Sequence, residues 1–337
     1  MKPIVMIVFV LRFLCSDGQN LRTAKVVMIP DKKGALIPMS ADEVSAQANL
    51  ARLTDFNVYF NLFTNLNPTI SQQLVDGNIS SIRNSNFNAQ FPTRIICNGW
   101  FSGNDTDMNK VLRNAYLAVG NFNVIVLDWS EGSKDLNYIQ AAAHTRTAGS
   151  KLASFIQYLA ANAKLDVNNT YLIGHSLGAH IVGFAGKLIQ TPKINTIFGL
   201  DPAGIPFNTA GPNDRLNIGD GSYVETINTD IGILGPNMPI GNASFFPNYG
   251  TLQPGCIGVT TLCSHARAYV YFGESIEASV DFYAAQCSAF NNIIFRDCNK
   301  TGPVAYMGGE RSNYDRGVSG IYYLPINFKP PYALGTF

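Results

Sequence analysis

The chain has 337 residues, of which 46% are hydrophobic and only 14% are charged. Its 24 Lys and Arg residues nearly balance its 23 Asp and Glu residues, so the net charge is +1. This length suits one large α/β domain or two smaller ones, and the charge argues against a nucleic acid or an anionic surface as partner. The composition predicts a large hydrophobic core and few solvent-exposed runs of charged residues.

The N-terminus resembles a secretory signal peptide. Lys2 precedes an apolar run over residues 4–14, and small residues shortly before Gln19 suit cleavage at that point. No later stretch approaches the length needed to span a bilayer. We therefore predict a signal peptide over residues 1–18, a single domain over residues 19–337 and a secreted, extracellular protein.

Strands and helices alternate through the first half of the chain. The apolar pattern predicts strands over residues 58–62, 94–97 and 123–127, and helices over residues 108–119 and 138–162. This alternation, with short loops, is typical of a mostly parallel sheet covered by helices on both faces. No internal repeat or low-complexity tract indicates a second domain.

A Gly-x-Ser-x-Gly motif follows the next apolar strand. It consists of Gly174, Ser176 and Gly178, and a helical stretch over residues 179–189 comes after it. A serine on a strained turn from strand to helix is the nucleophile elbow of α/β hydrolases. Side chains at the two glycines would collide with the neighbouring strand or block the turn. The bare motif is weak evidence, so the prediction depends on its partners.

The base must be a histidine after the serine, because this fold type has the chain order serine, acid, histidine. The chain contains His144, His175, His180 and His265. The first precedes the serine, and the next two lie within the elbow and its helix. His265 is therefore the predicted base, on a loop next to Cys263. The alternative, a solvated surface histidine, is disfavoured because no other base is eligible.

The acid must lie between the serine and the histidine. Residues 195–200 read as a strand, and Asp201 stands at its carboxyl end, where open α/β sheets build their sites. Asp214, Asp220 and Asp230 also lie in this interval, although loop aspartates commonly cap turns. The position of Asp201 at the carboxyl end of a predicted strand favours it as the acid of the triad.

The cysteine spacing predicts two local disulfides. Cys256 and Cys263 enclose six residues, and Cys287 and Cys298 enclose ten, as expected in an oxidising compartment. Cys97 lies within an apolar strand and is predicted to be a buried free thiol. Asn-x-Ser/Thr sequons permit glycosylation without requiring it.

Several ordered motifs resemble the pancreatic-type lipases of animals, especially the insect branch that includes phospholipases A1. The resemblance runs from about Tyr59 to the C-terminus. In chain order the motifs are Tyr59–Thr64, Asn98–Trp100, Asp128–Ser130, Gly174–His180, Gly199–Ala203, Phe245–Asn248, Gln253–Cys256 and Cys263–Ala268.

This resemblance implies an α/β-hydrolase fold with Ser176 as nucleophile, Asp201 as acid and His265 as base, the residues chosen above. It places the oxyanion hole at the backbone N–H groups of Leu177 and Trp100. Main-chain donors do not depend on the side chain, so the hole needs the turn that the glycine before Trp100 allows.

The chain departs from the family around these residues. Asn98 and Asn228 stand where the family usually has histidines, and Asn242 and Ser244 replace a histidine and an aspartate. We expect these changes to lower turnover without disrupting the triad.

The calcium site of the pancreatic lipases is only partly matched. Arg215 and Asp220 agree with it, whereas Pro212 and Asn217 replace acids. No metal or other cofactor is therefore predicted. The vertebrate members also carry a C-terminal β-sandwich that binds a helper protein, and we expect neither that domain nor a colipase-type helper here.

Two loops border the acyl site in this family, and both are short here. The lid between the first two cysteines spans residues 257–262, and the other loop spans residues 231–243. Short loops would leave the groove open to a bulky head group. The apolar residues of the second loop could contact acyl chains or a lipid surface, or could pack on the core.

These features predict a serine carboxylester hydrolase that cleaves lipid acyl esters at a lipid–water interface, with phospholipase A1-type activity. A neutral triacylglycerol lipase is the alternative. A second alternative is a non-enzymatic, lipid-binding relative similar to insect yolk proteins, which retention of all three triad residues disfavours. A peptidase is disfavoured by the resemblance.

Overall fold

A computed structural model describes residues 26–31, 35–51, 54–100, 103–134, 137–256, 261–277, 281–299 and 302–335. The predicted signal peptide and residues 257–260 of the predicted lid lie outside these ranges. Within them, no helix combines the length and apolar character that crossing a bilayer requires.

The helices and strands have the following bounds. The helices are α1 (Ala41–Ala51), α2 (Ile79–Arg83), α3 (Asp107–Val119), α4 (Tyr138–Ala163), α5 (Leu177–Leu188), α6 (Thr261–Glu277) and α7 (Phe290–Phe295). The strands are β1 (Val26–Pro30), β2 (Leu36–Ser40), β3 (Tyr59–Phe63), β4 (Gln72–Leu74), β5 (Thr93–Cys97), β6 (Asn123–Asp128), β7 (Thr170–His175), β8 (Thr196–Leu200), β9 (Tyr223–Ile227), β10 (Ala243–Pro247), β11 (Tyr283–Cys287), β12 (Val304–Tyr306) and β13 (Gly320–Leu324).

Among the described residues, eleven strands form one sheet in the order β12-β11-β13-β10-β9-β8-β7-β5-β6-β3-β4. Within this order, the six neighbouring pairs from β13 to β6 are parallel. The outer strands β3, β4, β11 and β12 pair antiparallel. This mostly parallel sheet, with crossover helices, is the α/β-hydrolase fold. Its parallel strands bring their carboxyl ends to one edge, where Ser176 and Asp201 follow β7 and β8.

Helices cover both faces of the sheet because successive side chains of a strand point to opposite sides. In β5, Ile95 joins the core cluster that includes α4 and α5, whereas Ile96 joins the cluster with α3 and α6. Both side chains are fully buried. Burial on both faces explains the uninterrupted apolar strands in the sequence.

Local capping explains where the long helices begin. The Thr106 side chain accepts a hydrogen bond from Asn109 N–H at the start of α3. Asn137 and Gln140 form a capping box at the start of α4, and Lys164 ends that helix in the left-handed conformation, at φ 58°. Helix α5 has no side-chain cap: its N-cap residue is Ser176, whose side chain forms no capping hydrogen bond.

The N-terminal elements β1, β2 and α1 lie outside the main sheet. The strands form an antiparallel pair, and Val44 and Ala48 of α1 pack against the core cluster that contains α4. Beyond α1, Thr54 is hydrogen-bonded to His144 Nε2 at 2.7 Å. These elements were not predicted from the sequence, because their residues lack a strong apolar period.

The four paired cysteines bond as the spacing predicts. Cys256 Sγ lies 2.01 Å from Cys263 Sγ, and Cys287 Sγ lies 2.05 Å from Cys298 Sγ. Within the described part of the chain, Cys97 is a free and buried thiol.

Candidate active site

Ser176 occupies a strained turn between β7 and α5. Its backbone angles are φ 55° and ψ −125°, a conformation that non-glycine residues rarely adopt. Its N–H donates to Leu200 O, and its carbonyl accepts from Ala203 N–H, both at 3.1 Å. These two bonds tie the serine to β8 and to the turn after it, so the surrounding structure maintains the strain.

Three glycines allow the backbone to pack closely around the serine. A Cβ atom added to Gly178 would lie 2.2 Å from Cys97 O, and one added to Gly174 would lie 2.3 Å from Gly178 O. A Cβ on Gly99 would lie 2.7 Å from the Cβ of Ser176. The sequence analysis attributed the first two glycines to such collisions, and the distances agree.

Asp201 and His265 come together although they are 64 residues apart. Asp201 Oδ2 lies 2.6 Å from His265 Nδ1, and both side chains are buried. The backbone N–H groups of Thr229 and Asp230 donate to Asp201 Oδ1 at 2.8 and 3.1 Å. With Nδ1 donating to the carboxylate, His265 Nε2 carries the lone pair that a base needs.

His265 lies on a helix, so the prediction of a loop was wrong. Helix α6 begins at Thr261, and both Cys263 and His265 belong to it. Counted from Ala268, the buried residues Tyr271, Phe272 and Ile276 follow three, four and eight positions later, which places all four on the face of the helix that packs on the sheet. That helical period is visible in the sequence and could have corrected the prediction.

His175 supports His265, although the sequence analysis only excluded it as a base. Its Nε2 lies 3.1 Å from the carbonyl oxygen of His265, which identifies Nε2 as the protonated nitrogen. The two rings lie 4.4 Å apart, and Tyr269 contacts the His175 ring edge-on at 5.3 Å. Burial lowers the pKa of His175 well below its ordinary value, so the ring stays neutral.

A second carboxylate, Asp230, lies in the site. Asp201, Asp230 and His265 each offer a ligand atom within 4.8 Å of the others, and all three are buried. Such a trio could contact a metal ion, but Asp201 Oδ2 already bonds to His265 Nδ1, and Asp201 Oδ1 already accepts from the N–H groups of Thr229 and Asp230. Asp230 Oδ2 accepts from Leu234 N–H at 3.3 Å. The sequence analysis had considered Asp230 only as a loop acid.

The two carboxylates share a single negative charge at neutral pH. Burial and the charge of Asp201 raise the pKa of Asp230 to about 8. Burial also raises the pKa of Asp201, but the N–H groups of Thr229 and Asp230 oppose the rise. We assign the charge to Asp201, because it accepts three hydrogen bonds. Burial lowers the pKa of His265, so the imidazole is neutral and ready to accept a proton.

The residues proposed for the oxyanion hole flank the serine. Leu177 is the first residue of α5, so its N–H has no acceptor within the helix. The segment with Trp100 is held by Asn98, whose Oδ1 accepts from Gly99 N–H at 2.8 Å and whose Nδ2 donates to Thr106 Oγ1 at 2.7 Å. Asn98 thus orders the segment in which the family usually has histidine.

The other departures from the family form hydrogen bonds between β9 and β10. Asn242 Oδ1 accepts from Val224 N–H at 2.9 Å, and the hydroxyl of Thr226 donates to Ser244 at 2.9 Å. Asn228 Nδ2 donates to Thr226 Oγ1 and to a backbone carbonyl of β10, each at 3.1 Å. These side chains join neighbouring strands and do not contact the Asp201 carboxylate through these bonds.

The loop over residues 231–243 packs mainly on the core. Ile231, Leu234 and Ile240 are less than 10% exposed, and Met238 packs against the α4–α5 cluster. Of the apolar residues in this loop, only Ile233 is exposed, at 40%. Core packing is therefore the better of the two interpretations left open.

The fold and this arrangement define an α/β hydrolase with a candidate Ser-Asp-His site. Residues 21–332 match the family model described as Lipase, so the chain belongs to the lipase family. This agrees with the resemblance found in the sequence.

Some of the relatives carry the names of enzymes, and others are named as inactive proteins. The chain is 32% identical over 306 residues to pancreatic triacylglycerol lipase of Mus musculus, covering 82% of this chain and 65% of that protein. It is 34% identical over 266 residues to inactive pancreatic lipase-related protein 1 of Mus musculus (72% and 55%). It is 34% identical over 252 residues to phospholipase A1 4 of Polistes dominula (71% and 78%). The chain thus spans just over half to two thirds of these mammalian relatives.

Replacing Gly178 should disrupt the elbow. Gly178→Ala places a methyl group against the backbone oxygens of Cys97 and Asn98, which cannot move aside like a flexible side chain. We expect a loss of about 3 kcal/mol or more in the free energy of unfolding, measured by denaturant titration. Gly103→Ala is the control, because nothing lies within 4 Å of the added atom. Equal stability of the two variants would contradict the close approach.

Asp230→Asn should change how stability depends on pH. The pKa of Asp230 is raised from 3.8 to about 8 in the folded state, so the carboxyl's stabilising contribution is complete below pH 3.8 and is lost as pH rises towards 8. The amide does not ionise. We therefore expect the Tm of the variant, relative to the unmodified protein, to increase between pH 4 and pH 8 and then to level off.

Thermal unfolding at several pH values measures this difference. Asp76→Asn, at an exposed turn, is the control and should give a flat difference. A flat difference for Asp230→Asn as well would contradict the assignment of the proton to Asp230.

Proposed function

We propose that this protein is a secreted serine carboxylester hydrolase that cleaves lipid acyl esters, with Ser176, Asp201 and His265 as its triad. The main support is the 2.6 Å hydrogen bond between Asp201 Oδ2 and His265 Nδ1, together with the strained elbow conformation of Ser176. The predicted signal peptide and the two disulfides support secretion.

In the proposed reaction, Ser176 Oγ attacks the ester carbonyl carbon while His265 Nε2 takes the hydroxyl proton. The tetrahedral intermediate collapses when the C–O bond to the alcohol breaks and His265 returns the proton to that oxygen. Water then attacks the acyl-enzyme by the same route and releases the fatty acid. Asp201 orients the imidazole and stabilises its positive charge.

Burial sets the protonation states from which the reaction starts. His265 starts neutral, as a base must, and becomes charged next to an ionised carboxylate. The negative charge that develops on the substrate oxygen would be stabilised by the N–H groups of Leu177 and Trp100, at the start of α5 and beside Gly99. Because α5 directs its N-terminus at this position, its dipole adds to the stabilisation.

We propose phospholipids as the preferred substrates, cleaved at the sn-1 position. The loop over residues 231–243 is largely buried, which leaves few residues of it to cover the serine. An open groove admits a charged head group without the movement of a large lid. The relationship to phospholipase A1 4 of Polistes dominula also supports this choice.

Ser176→Ala tests the nucleophile. We expect hydrolysis of a soluble short-chain nitrophenyl ester to fall by at least about a thousandfold, because the acyl acceptor is lost. The matched control is Ser154→Ala, an exposed serine on α4, which should keep full activity. Circular dichroism and thermal unfolding establish that both variants are folded. Substantial activity of Ser176→Ala would contradict the triad.

A mixed-acyl phosphatidylcholine tests the substrate class. We expect the sn-1 fatty acid and the 2-acyl lysophospholipid as products, at a rate well above that for triacylglycerol, with Ser176→Ala as the blank. Mass spectrometry identifies the released acid. Faster release from triacylglycerol, with no sn-1 acid from phosphatidylcholine, would establish the neutral lipase instead. No release from any ester, the nitrophenyl ester included, would favour the non-enzymatic alternative.

A further inference from the structure

Residues 210–220 form a loop that packs directly on the elbow helix α5. A Cβ atom added to Gly183 would lie 2.9 Å from the Cα of Leu216, and one added to Gly186 would lie 2.3 Å from Asp220 O. The Asp220 side chain is only 5% exposed. The two glycines therefore let the loop bring a buried carboxylate against the helix that follows Ser176.

A lysine of helix α5 forms an ion pair with the Asp220 carboxylate. Lys187 Nζ contacts Asp220 Oδ1, and the lysine side chain is 20% exposed. The other carboxylate oxygen, Oδ2, accepts from Asn217 N–H at 2.8 Å. Burial raises the pKa of Asp220 to about 6, and the ammonium group of Lys187 opposes the rise. The carboxylate is thus ionised at neutral pH and needs a cation beside it.

Two further cationic side chains donate hydrogen bonds to oxygen atoms of this loop. Arg215 donates to Ala210 O at 3.2 Å, to Leu216 O at 3.0 Å and to Asn217 Oδ1 at 3.2 Å. Lys193 Nζ donates to Gly219 O at 3.0 Å. The side-chain oxygens of Asn217 and Asp220 are therefore already occupied as acceptors by the protein itself.

This arrangement does not fit the calcium ion that the family resemblance would place here. Calcium takes six to eight oxygen ligands, several of them carboxylates. In this loop Pro212 supplies no side-chain oxygen, Asn217 Oδ1 already accepts from Arg215, and both oxygens of Asp220 are used. The cationic groups of Lys187, Arg215 and Lys193 would also repel a divalent cation at this loop.

We propose that the ammonium group of Lys187 is the resident cation of this loop and neutralises Asp220 in place of a divalent metal. A covalently attached cation needs no metal supply and is not removed by chelators. Its position in the last turn of α5 also suits the helix dipole.

The loop is linked to the active site through His180. Leu216 N–H donates to His180 Nδ1 at 3.1 Å, and His180 Nε2 donates to Ala203 O at 2.8 Å. Ala203 N–H in turn donates to Ser176 O. Lys187 thereby stabilises a segment that supports both the elbow helix and the turn after Asp201.

Thermal unfolding and hydrogen exchange test this inference without any assay of activity. We expect the Tm of the unmodified protein to be the same in excess EDTA and in excess calcium chloride. Lys187→Met should lower the Tm by several degrees and speed exchange in residues 210–220, because a buried carboxylate loses its partner. Lys110→Met is the matched control, since it breaks an exposed pair with Asp105 and should change little.

Two further variants separate charge from packing. Lys187→Arg keeps the positive charge and should retain most of the Tm. Adding Asp220→Asn to Lys187→Met should recover part of the lost Tm, because it removes the uncompensated charge. If Lys187→Met does not fold, recovery of folding in the double variant would support the proposal, and failure of the double variant together with Lys187→Arg would overturn it.

Two results would overturn the proposal outright. One is a fall in the Tm of the unmodified protein in EDTA that calcium reverses, since the resident cation would then be a metal. The other is an effect of Lys187→Met no larger than that of Lys110→Met. Neither result bears on the triad, which the ester assay of Ser176→Ala tests separately.

Discussion

The candidate site depends on how closely backbone segments can approach one another around Ser176. The positive-φ conformation of the serine is held by hydrogen bonds to β8 and to the following turn, and α5 lies almost in contact with the carbonyl of Cys97. A side chain at Gly174 or Gly178 would separate these segments. The strained serine, the start of α5 and the turn containing Gly99 are therefore one packing unit, and the proposed chemistry depends on it.

The buried electrostatics of the site follow from that packing. Excluding water raises the cost of each charge, so the protein keeps one negative charge on Asp201 and leaves Asp230, His175 and His265 neutral. The hydrogen bonds that Asp201 accepts decide which carboxylate is ionised. In the proposed reaction, proton transfer to His265 would create an ion pair with Asp201, and the low polarity around the two side chains would make the attraction between them strong.

The sequence by itself predicted most of the strands and helices from β3 to β8 and selected the candidate reactive residues. The predicted strands and helices through the elbow agree with the structure to within a few residues, because uninterrupted apolar strands and long amphipathic helices leave strong local patterns. Ser176, Asp201 and His265 could be selected because the motif is local and few histidines compete. The disulfide pairs followed from short spacing.

Only the tertiary structure decided what surrounds these residues. Asp230 reaches Asp201, His175 reaches the carbonyl of His265, and Lys187 reaches Asp220 across intervals of 29, 90 and 33 residues. The burial of the loop over residues 231–243 was likewise an open question in the sequence. Such contacts depend on how separate strands and helices are placed by the sheet. An apolar or charged residue type is compatible with several environments, so its partner and its protonation state follow only from the packed fold.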